Sequence, residues 1–506
     1  RDPRIISALL RAGEEGVARL GVLVKVGMRR DRREKLVRVA PSESVDRQIS
    51  SAERVCRMLE FLGLLHERGL YLDTLTYPHL GGMGFHIVSP EGEDLIELEN
   101  PLREGKGEKV QEEGGRYRYQ GERIVQWERP ISPEECLEII SKLDTFPEVT
   151  AYRVGRSYLG REIWAMDVML PLKGRLWSQA KASTYKPVLL ISGRQHANEV
   201  SSTSHILRLV ELLATDPEYK KLLKRVNLVA HPITNVDGAA LGCELYKLTP
   251  HFMLHAAYLG ALGVDVSADQ WSRDPLYPEA KVRPKLWRTW LPDIFLNPHG
   301  YPSHEWVQLF AGYAAWTRSR LPRRGRSWWI PRGWFMPRLS YVEDPRFPRH
   351  KEVALAIRDY IVEAINSDPR VRAVNERMYA RYRKYGSFDP EVYKENLYRG
   401  VLIYTALKGT RKTPASRGFM ARHPEITVFE AGTEAPDETA SGPWLELVCT
   451  AGLAFDLAHL RFLHDAQYEL KRSEREMKDC VILSVRRPRP VLPRRPPGTE
   501  GDRGSR

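Results

Sequence analysis

The chain has 506 residues, a formal net charge of +13, and hydrophobic and aromatic fractions of 42% and 9%. That length allows about three domains or fewer, the apolar fraction excludes global disorder, and no stretch nears the roughly 18 uninterrupted apolar residues of a membrane helix. The charge is local: Arg486–Arg506 holds seven Arg against Glu500 and Asp502, and Trp316–Arg338 holds seven Arg and no acid. The remainder is close to neutral, which argues against a uniformly basic body and against nucleic acid as the partner.

In chain order, residues 1–130 read as an accessory or incomplete N-terminal α+β segment. Short strand-like runs mix with a helical pattern: Ser51–Arg68 carries Val55, Met58, Leu59, Leu62 and Leu65 at helical spacing, and Leu70–Val88 is aromatic and glycine-punctuated. Glu99–Gly121, charged and glycine-rich, reads as a linker. From Ile131 the pattern changes. Ser132 as N-cap and Pro133 at the first helical position open a helix. Val149–Val154, Glu162–Leu170 and Pro187–Ser192 follow as strands, Ser201–Ala214 as a helix, and Val226–Pro232 as another strand. The pattern resumes with a strand at Ile426–Phe429 and a helix from Trp444 to about His464. Apolar β-runs alternating with helices predict an α/β domain over 131–470: a mixed central sheet with helices on both faces. Residues 486–506, with five Pro and seven Arg, are expected to form a disordered tail.

Five scattered cysteines without CxxC spacing argue against a disulfide framework and against thiolate-bound zinc. They favour a reducing compartment, and so the cytoplasm. The opening Arg1-Asp2-Pro3 lacks a methionine, so the true start is expected to be missing and a removed signal peptide stays open. No GxSxG occurs, and Gly155–Gly160 has the wrong spacing for a serine nucleophile.

The chemistry concentrates where strands end. Pro187–Ser192 runs into Gly193-Arg194-Gln195-His196-Ala197-Asn198-Glu199, just before a helix. A His and a Glu three apart at such a turn can face one point, and zinc takes imidazole and carboxylate ligands. A second histidine, His299, closes the apolar run Asp293–Leu296, and Ile426–Phe429 leads into Glu430. A carboxylate at the exit of an apolar strand is rarely there without a partner or a role.

With these residues in place, the chain resembles the zinc metallocarboxypeptidases of the carboxypeptidase A/B-like group, as a divergent member, over roughly Ile131–Ala466. The lead-in Tyr152–Ile163 resembles that family's first hairpin, and Pro232–Gly238 resembles its Asn-Pro-Asp-Gly turn. The resemblance implies Zn2+ held by His196, Glu199 and His299, Glu430 as general base, and Asp265 hydrogen-bonded to the first zinc histidine. His304 competes with His299, and Glu434 with Glu430. Tyr404 falls where the family keeps a substrate-binding tyrosine. The family's Asn-Arg grip on a terminal carboxylate is replaced by Val266-Ser267-Ala268, Asn198 takes the slot of another arginine, and Gly242–Pro250 offers only Lys247. Substitute cations come from Arg273, Lys408, Arg411 or Arg417, with Arg417 nearest the Glu430 strand. Trp316–Arg338, read as an insertion near the zinc mouth, interleaves arginine with tryptophan and suits an anionic or aromatic substrate, single-stranded nucleic acid, or a plain lid. His459 and His464 read as core or surface histidines.

The resemblance therefore implies a zinc-dependent hydrolase that cleaves an amide bond in a peptide or acyl-amino acid, most simply a metallocarboxypeptidase-like peptidase with altered specificity. A deacylase of the succinylglutamate desuccinylase and aspartoacylase type shares the ligand pattern. A non-catalytic binder of anionic ligands on a peptidase scaffold is the competing class.

Overall fold

A computed structural model of the protein describes residues 19–20, 71–76, 84–88, 123–171, 178–248, 258–268, 270–302, 334–385, 397–403, 405–410, 418–438, 440–477 and 480–492. In the N-terminal segment three short strands, β1 (Arg19–Leu20), β2 (Tyr71–Thr76) and β3 (Gly84–Val88), pair antiparallel in the order β1-β3-β2. The expected helix over 51–68 and the linker over 99–121 lie outside the described residues.

The main body opens with α1 (Pro133–Leu143), whose cap is the one its sequence predicts: the Ser132 side chain accepts from the Glu135 amide. Six strands of the central sheet follow, β4 (Val149–Arg156), β5 (Glu162–Val168), β6 (Val188–Ser192), β7 (Asn227–His231), β8 (Ile294–Pro302) and β9 (Met336–Val342). After a separate hairpin of β10 (Leu397–Tyr398) and β11 (Val401–Leu402), β12 (Thr405–Thr410) and β13 (Phe429–Glu438) complete it. The spatial order is β12-β9-β13-β8-β6-β7-β5-β4. Neighbours β13, β8, β6 and β7 run parallel, whereas β9 meets β13 antiparallel and β5 meets both β7 and β4 antiparallel, so the sheet is mixed. Every residue of β6 and β7 is buried, as continuous apolar runs in a parallel sheet covered on both faces should be.

Helices α2 (Gln179–Tyr185) and α3 (Ser201–Thr215) flank β6 in the chain, and α4 (Val282–Trp290), α5 (His350–Ser367) and α6 (Gly442–Asp465) come later. Helix α3 packs against α6, which packs on α5, while α2 packs against α4. The expected α/β body is the observed one.

Three boundaries differ from expectation. Val125 and Trp127 are buried in the main core, and the Ile124 and Val125 amides donate to Glu211, so the body begins before Ile131. Its end lies beyond 470. Residues 486–492, which composition assigns to the tail, are anchored: Arg487 bonds the buried Asp293, Val491 is fully buried, and Leu492 pairs with Gln467. Arginine and proline abundance signals disorder only where no buried carboxylate is waiting. Finally, Trp334–Arg338, read as the end of an insertion, is part of the core and of β9: Trp334, Phe335 and Met336 are buried, and Met336–Ser340 pair with β13. Residues 316–333 lie outside the described set. Among the described residues no helix is long and apolar enough to cross a membrane, and Cys136, Cys243 and Cys449 are free thiols.

Candidate metal centre

The turn after β6 is built tightly. Gly193 leaves no room for a side chain, since an added Cβ would stand 2.7 Å from Ile206 Cδ1 and 2.9 Å from Ser202 Oγ. Arg194 follows in the left-handed region (φ 49°), an uncommon place for a non-glycine residue that needs compensation. Compensation comes from its buried guanidinium, which donates to Ala197 O (2.8 Å) and Ile131 O (2.6 Å), and from its amide, which donates to Ser202 Oγ (2.9 Å). This strained residue turns the chain so that His196 and Glu199 face the end of β8. From β13, Asp437 caps α3 by accepting from the Ser201 amide (2.7 Å) and hydroxyl (2.6 Å), and Glu438 accepts from Asn198 Nδ2 (2.8 Å).

His196, Glu199 and His299 come together, with ligand atoms all within 4.8 Å of one another. Glu199 Oε1 lies 2.7 Å from His196 Nδ1, Glu199 Oε2 lies 2.9 Å from His299 Nδ1, and the two Nδ1 atoms are 3.1 Å apart. Two nitrogens bonded to a tetrahedral zinc at 2.0–2.1 Å stand roughly 3.3 Å apart, and a catalytic zinc takes three such protein ligands and keeps one position open. The donor set and its spacing therefore fit zinc.

Burial opposes every charge in the cluster, and the neighbours decide where it prevails. Burial works to lower the His196 pKa, but Glu199 and Asp265 outweigh it and raise it. Burial works to raise the Glu199 pKa, but the two imidazoles outweigh it and hold the carboxylate ionised. At His299 burial dominates, His196 and Arg338 add to it, and the pKa falls.

Asp265 stands beside the first histidine, its Oδ2 3.8 Å from His196 Nε2. It also accepts from Gln195 Nε2 (3.2 Å) and from the Ser267 amide (2.8 Å). A carboxylate so placed orients the imidazole. On the other side, Asn297 Nδ2 lies 2.9 Å from His299 Nε2, and Asn297 Oδ1 accepts from the buried Arg283 (2.6 Å). Tyr258 stacks on His196, ring centroids 3.8 Å apart. Nothing in sequence pattern singles out Tyr258, Asn297 or Arg283, because each reaches the site through tertiary packing.

Glu430 is not at the strand exit where the apolar run places it. Strand β13 starts at Phe429 and continues to Glu438, so Glu430 is its second residue. In register, Glu434 is level with His299, whereas Glu430 is level with Phe295. Four residues of strand amount to about 13 Å. Glu430 instead accepts from the Met420 amide (3.4 Å), and burial raises its pKa against the opposing pull of Arg338 and Arg283. Glu434 shares its face of the strand with Glu430 and is buried. The carboxylate on that face nearest the level of the ligands is thus Glu434, the alternative to Glu430.

Tyr404, Arg417, His304 and Arg411 lie outside the described residues. Lys408 is in β12, and Arg273 is exposed. His459 is a core histidine facing Phe455 O (2.8 Å), and His464 sits beside Asp465. The two lead-in motifs meet each other: Asp237 accepts from the Ser157 hydroxyl (2.8 Å), the Leu159 amide (2.9 Å) and Arg161 (2.9 Å).

The chain is also similar to known proteins. The family model described as zinc carboxypeptidase matches residues 137–256. No curated protein matches the chain. Among solved structures, a metallo-carboxypeptidase from Burkholderia cenocepacia is 13% identical, with 77% of this chain and 76% of that one covered and a TM-score of 0.43. Carboxypeptidase A from Helicoverpa armigera is 13% identical, with 82% and 96% covered and a TM-score of 0.38. A metallo-carboxypeptidase from Pseudomonas aeruginosa is 15% identical, with 66% and 70% covered and a TM-score of 0.37. The family to which this chain is similar is the zinc carboxypeptidases, matched over residues 137–256.

Proposed function

We propose that the protein is a zinc-dependent hydrolase of metallocarboxypeptidase-like type that cleaves an amide bond. One observation carries the reading: His196 Nδ1, His299 Nδ1 and both Glu199 oxygens converge within hydrogen-bonding distance of one another from separate parts of the chain. Zinc bound there would polarise the amide carbonyl and acidify a water molecule.

The chain's own residues supply the rest. Asp265 and Asn297 hold the two imidazole rings from behind, so that Nδ1 of each points inward. Glu434, level with His299 on the neighbouring strand, takes the proton of the attacking water and returns it to the leaving nitrogen. Burial of the cluster strengthens these interactions by excluding bulk water.

The test is metal content by mass spectrometry on wild type and His196→Ala, followed by turnover of a peptide panel and an acyl-amino-acid panel by wild type and Glu434→Gln. Near one zinc per chain, lost in His196→Ala, with turnover lost in Glu434→Gln while zinc is kept, supports the reading. A wild type that takes up no zinc overturns it, and the panel that is turned over separates peptidase from deacylase.

A further inference from the structure

Three strands set a row of side chains just below the level of the ligands. Gly432 on β13 is the register partner of both Arg338 on β9 and Asn297 on β8. Gly432 has no side chain, and a Cβ built there would stand 3.5 Å from both Nε and Nη2 of Arg338. The guanidinium therefore lies over Gly432, on the face shared by Glu434 and His299 in one direction and Glu430 in the other. It is half-buried and makes no hydrogen bond to any of the described residues, although it is close enough to influence both His299 and Glu430.

A second guanidinium lies beneath it. Arg283 is buried and donates only to neutral acceptors: Ser192 Oγ (2.7 Å) and O (3.1 Å), Gln195 Oε1, and Asn297 Oδ1 (2.6 Å). Glu199 and Asp265, at the ligand level, are engaged with the imidazoles, Asp265 and Glu430 both act on Arg283, Glu430 also feels Arg338, and Glu434 stands two residues from Gly432 on the same face. Arg338 nonetheless has no hydrogen-bond partner among the described residues, and Arg283 has only neutral acceptors. A carboxylate brought to the Arg338 guanidinium would give it the paired hydrogen bonds that it lacks among the described residues.

We propose that this row binds an acidic side chain of the substrate, with Arg338 as the specificity-determining residue. The row lies two residues along the strand from the ligand level, about 7 Å. That span suits the side-chain carboxylate of a glutamate whose own amide nitrogen is the leaving group, and is too long for its α-carboxylate. The amide cleavage rests on the hydrolase reading; the anion preference does not.

Calorimetric titration of the full chain, metal-free and zinc-loaded, with N-acetyl-glycyl-glutamate and N-acetyl-glycyl-glutamine tests this. Both probes carry an α-carboxylate and differ only in side-chain charge. The wild type should favour the glutamate probe by about tenfold or more. Arg338→Gln should bring the ratio near one with zinc content unchanged, and Arg338→Lys should keep part of the preference. Equal binding of the two probes by wild type overturns the proposal, as does a preference that survives Arg338→Gln or a failure of both probes to bind. A chain that takes up no zinc but keeps the Arg338-dependent preference removes the hydrolase reading alone.

Discussion

Replacing Arg487 by alanine takes the paired hydrogen bonds from a buried carboxylate and leaves it, among the described residues, only one cation, Arg489, whose Nε is 3.6 Å away. The Asp293 side chain is 0% exposed and that of Arg487 2%. The two form a paired contact, Nη1 to Oδ1 at 2.7 Å and Nη2 to Oδ2 at 2.8 Å, and Oδ2 also accepts from the Val188 amide at 2.9 Å. Asp293 thereby ties the starts of β6 and β8, the strands that lead to His196 and His299, to the C-terminal segment. Breaking one partner of a buried ion pair costs about 3–5 kcal/mol, and at about 2 °C per kcal/mol for a body of this size the midpoint falls by roughly 6–10 °C. Urea and thermal unfolding followed by tryptophan fluorescence measure this. Burial alone would raise the Asp293 pKa, but Arg487, Arg489 and the Val188 amide lower it. The pair's contribution is therefore present above the ordinary carboxylate pKa and is lost as pH falls through the depressed one. Asp293→Asn combined with Arg487→Met should recover part of the loss, because the carboxylate charge is removed while Arg489, which loses that partner, keeps its bond to Ile426 O. A loss below about 1 kcal/mol in Arg487→Ala, or a double variant worse than either single one, would refute the argument.

Removing zinc with a chelator should lower the thermal midpoint of wild type and leave His299→Ala unmoved, as calorimetry would show; an equal response of the two counts against the ligand assignment. Glu434→Gln should cut turnover by about 10²-fold or more while Glu430→Gln keeps most of it, and the reverse order in steady-state kinetics restores Glu430 as base. Gly432→Ala should cost about 1–3 kcal/mol, since the new Cβ meets Asn297 O at 2.6 Å, and a neutral result in urea unfolding contradicts the close approach. Buried Asp167, beside the Tyr152 hydroxyl (2.8 Å), has its pKa raised by burial to about 7. A raised folded-state pKa destabilises the fold as pH climbs from the unfolded value through 7, so Asp167→Asn should gain up to about 4 kcal/mol at pH 8 and much less at pH 5. A gain independent of pH would contradict that coupling.

Local pattern makes much of this protein legible in advance. Ser132 and Pro133 start a helix because their own side chains shape its first turn. The turn His196–Glu199 announces itself because two ligands three residues apart need only a strand exit to converge, and His299 similarly closes the apolar half of β8. Glu430 shows where such reading stops. The apolar run ends at Phe429, but β13 goes on through Glu438 because tertiary partners satisfy its polar half: Thr433 hydroxyl to His299 O, Asp437 to Ser201, Glu438 to Asn198.

The C-terminal segment shows the same limit, since its arginines look solvated until Asp293, far away in sequence, is placed beside Arg487. Composition and spacing, then, locate the helix at Pro133 and the strands and helix between Val149 and His231, and single out residues able to ligate a metal, whereas the strand expected at 426–429 begins only at Phe429. Which carboxylate stands level with His299, and that Arg338 lies over Gly432 with no hydrogen bond among the described residues, depend on the register between strands far apart in sequence. Only the assembled sheet decides that register, because burying the apolar face of every strand at once leaves a single alignment.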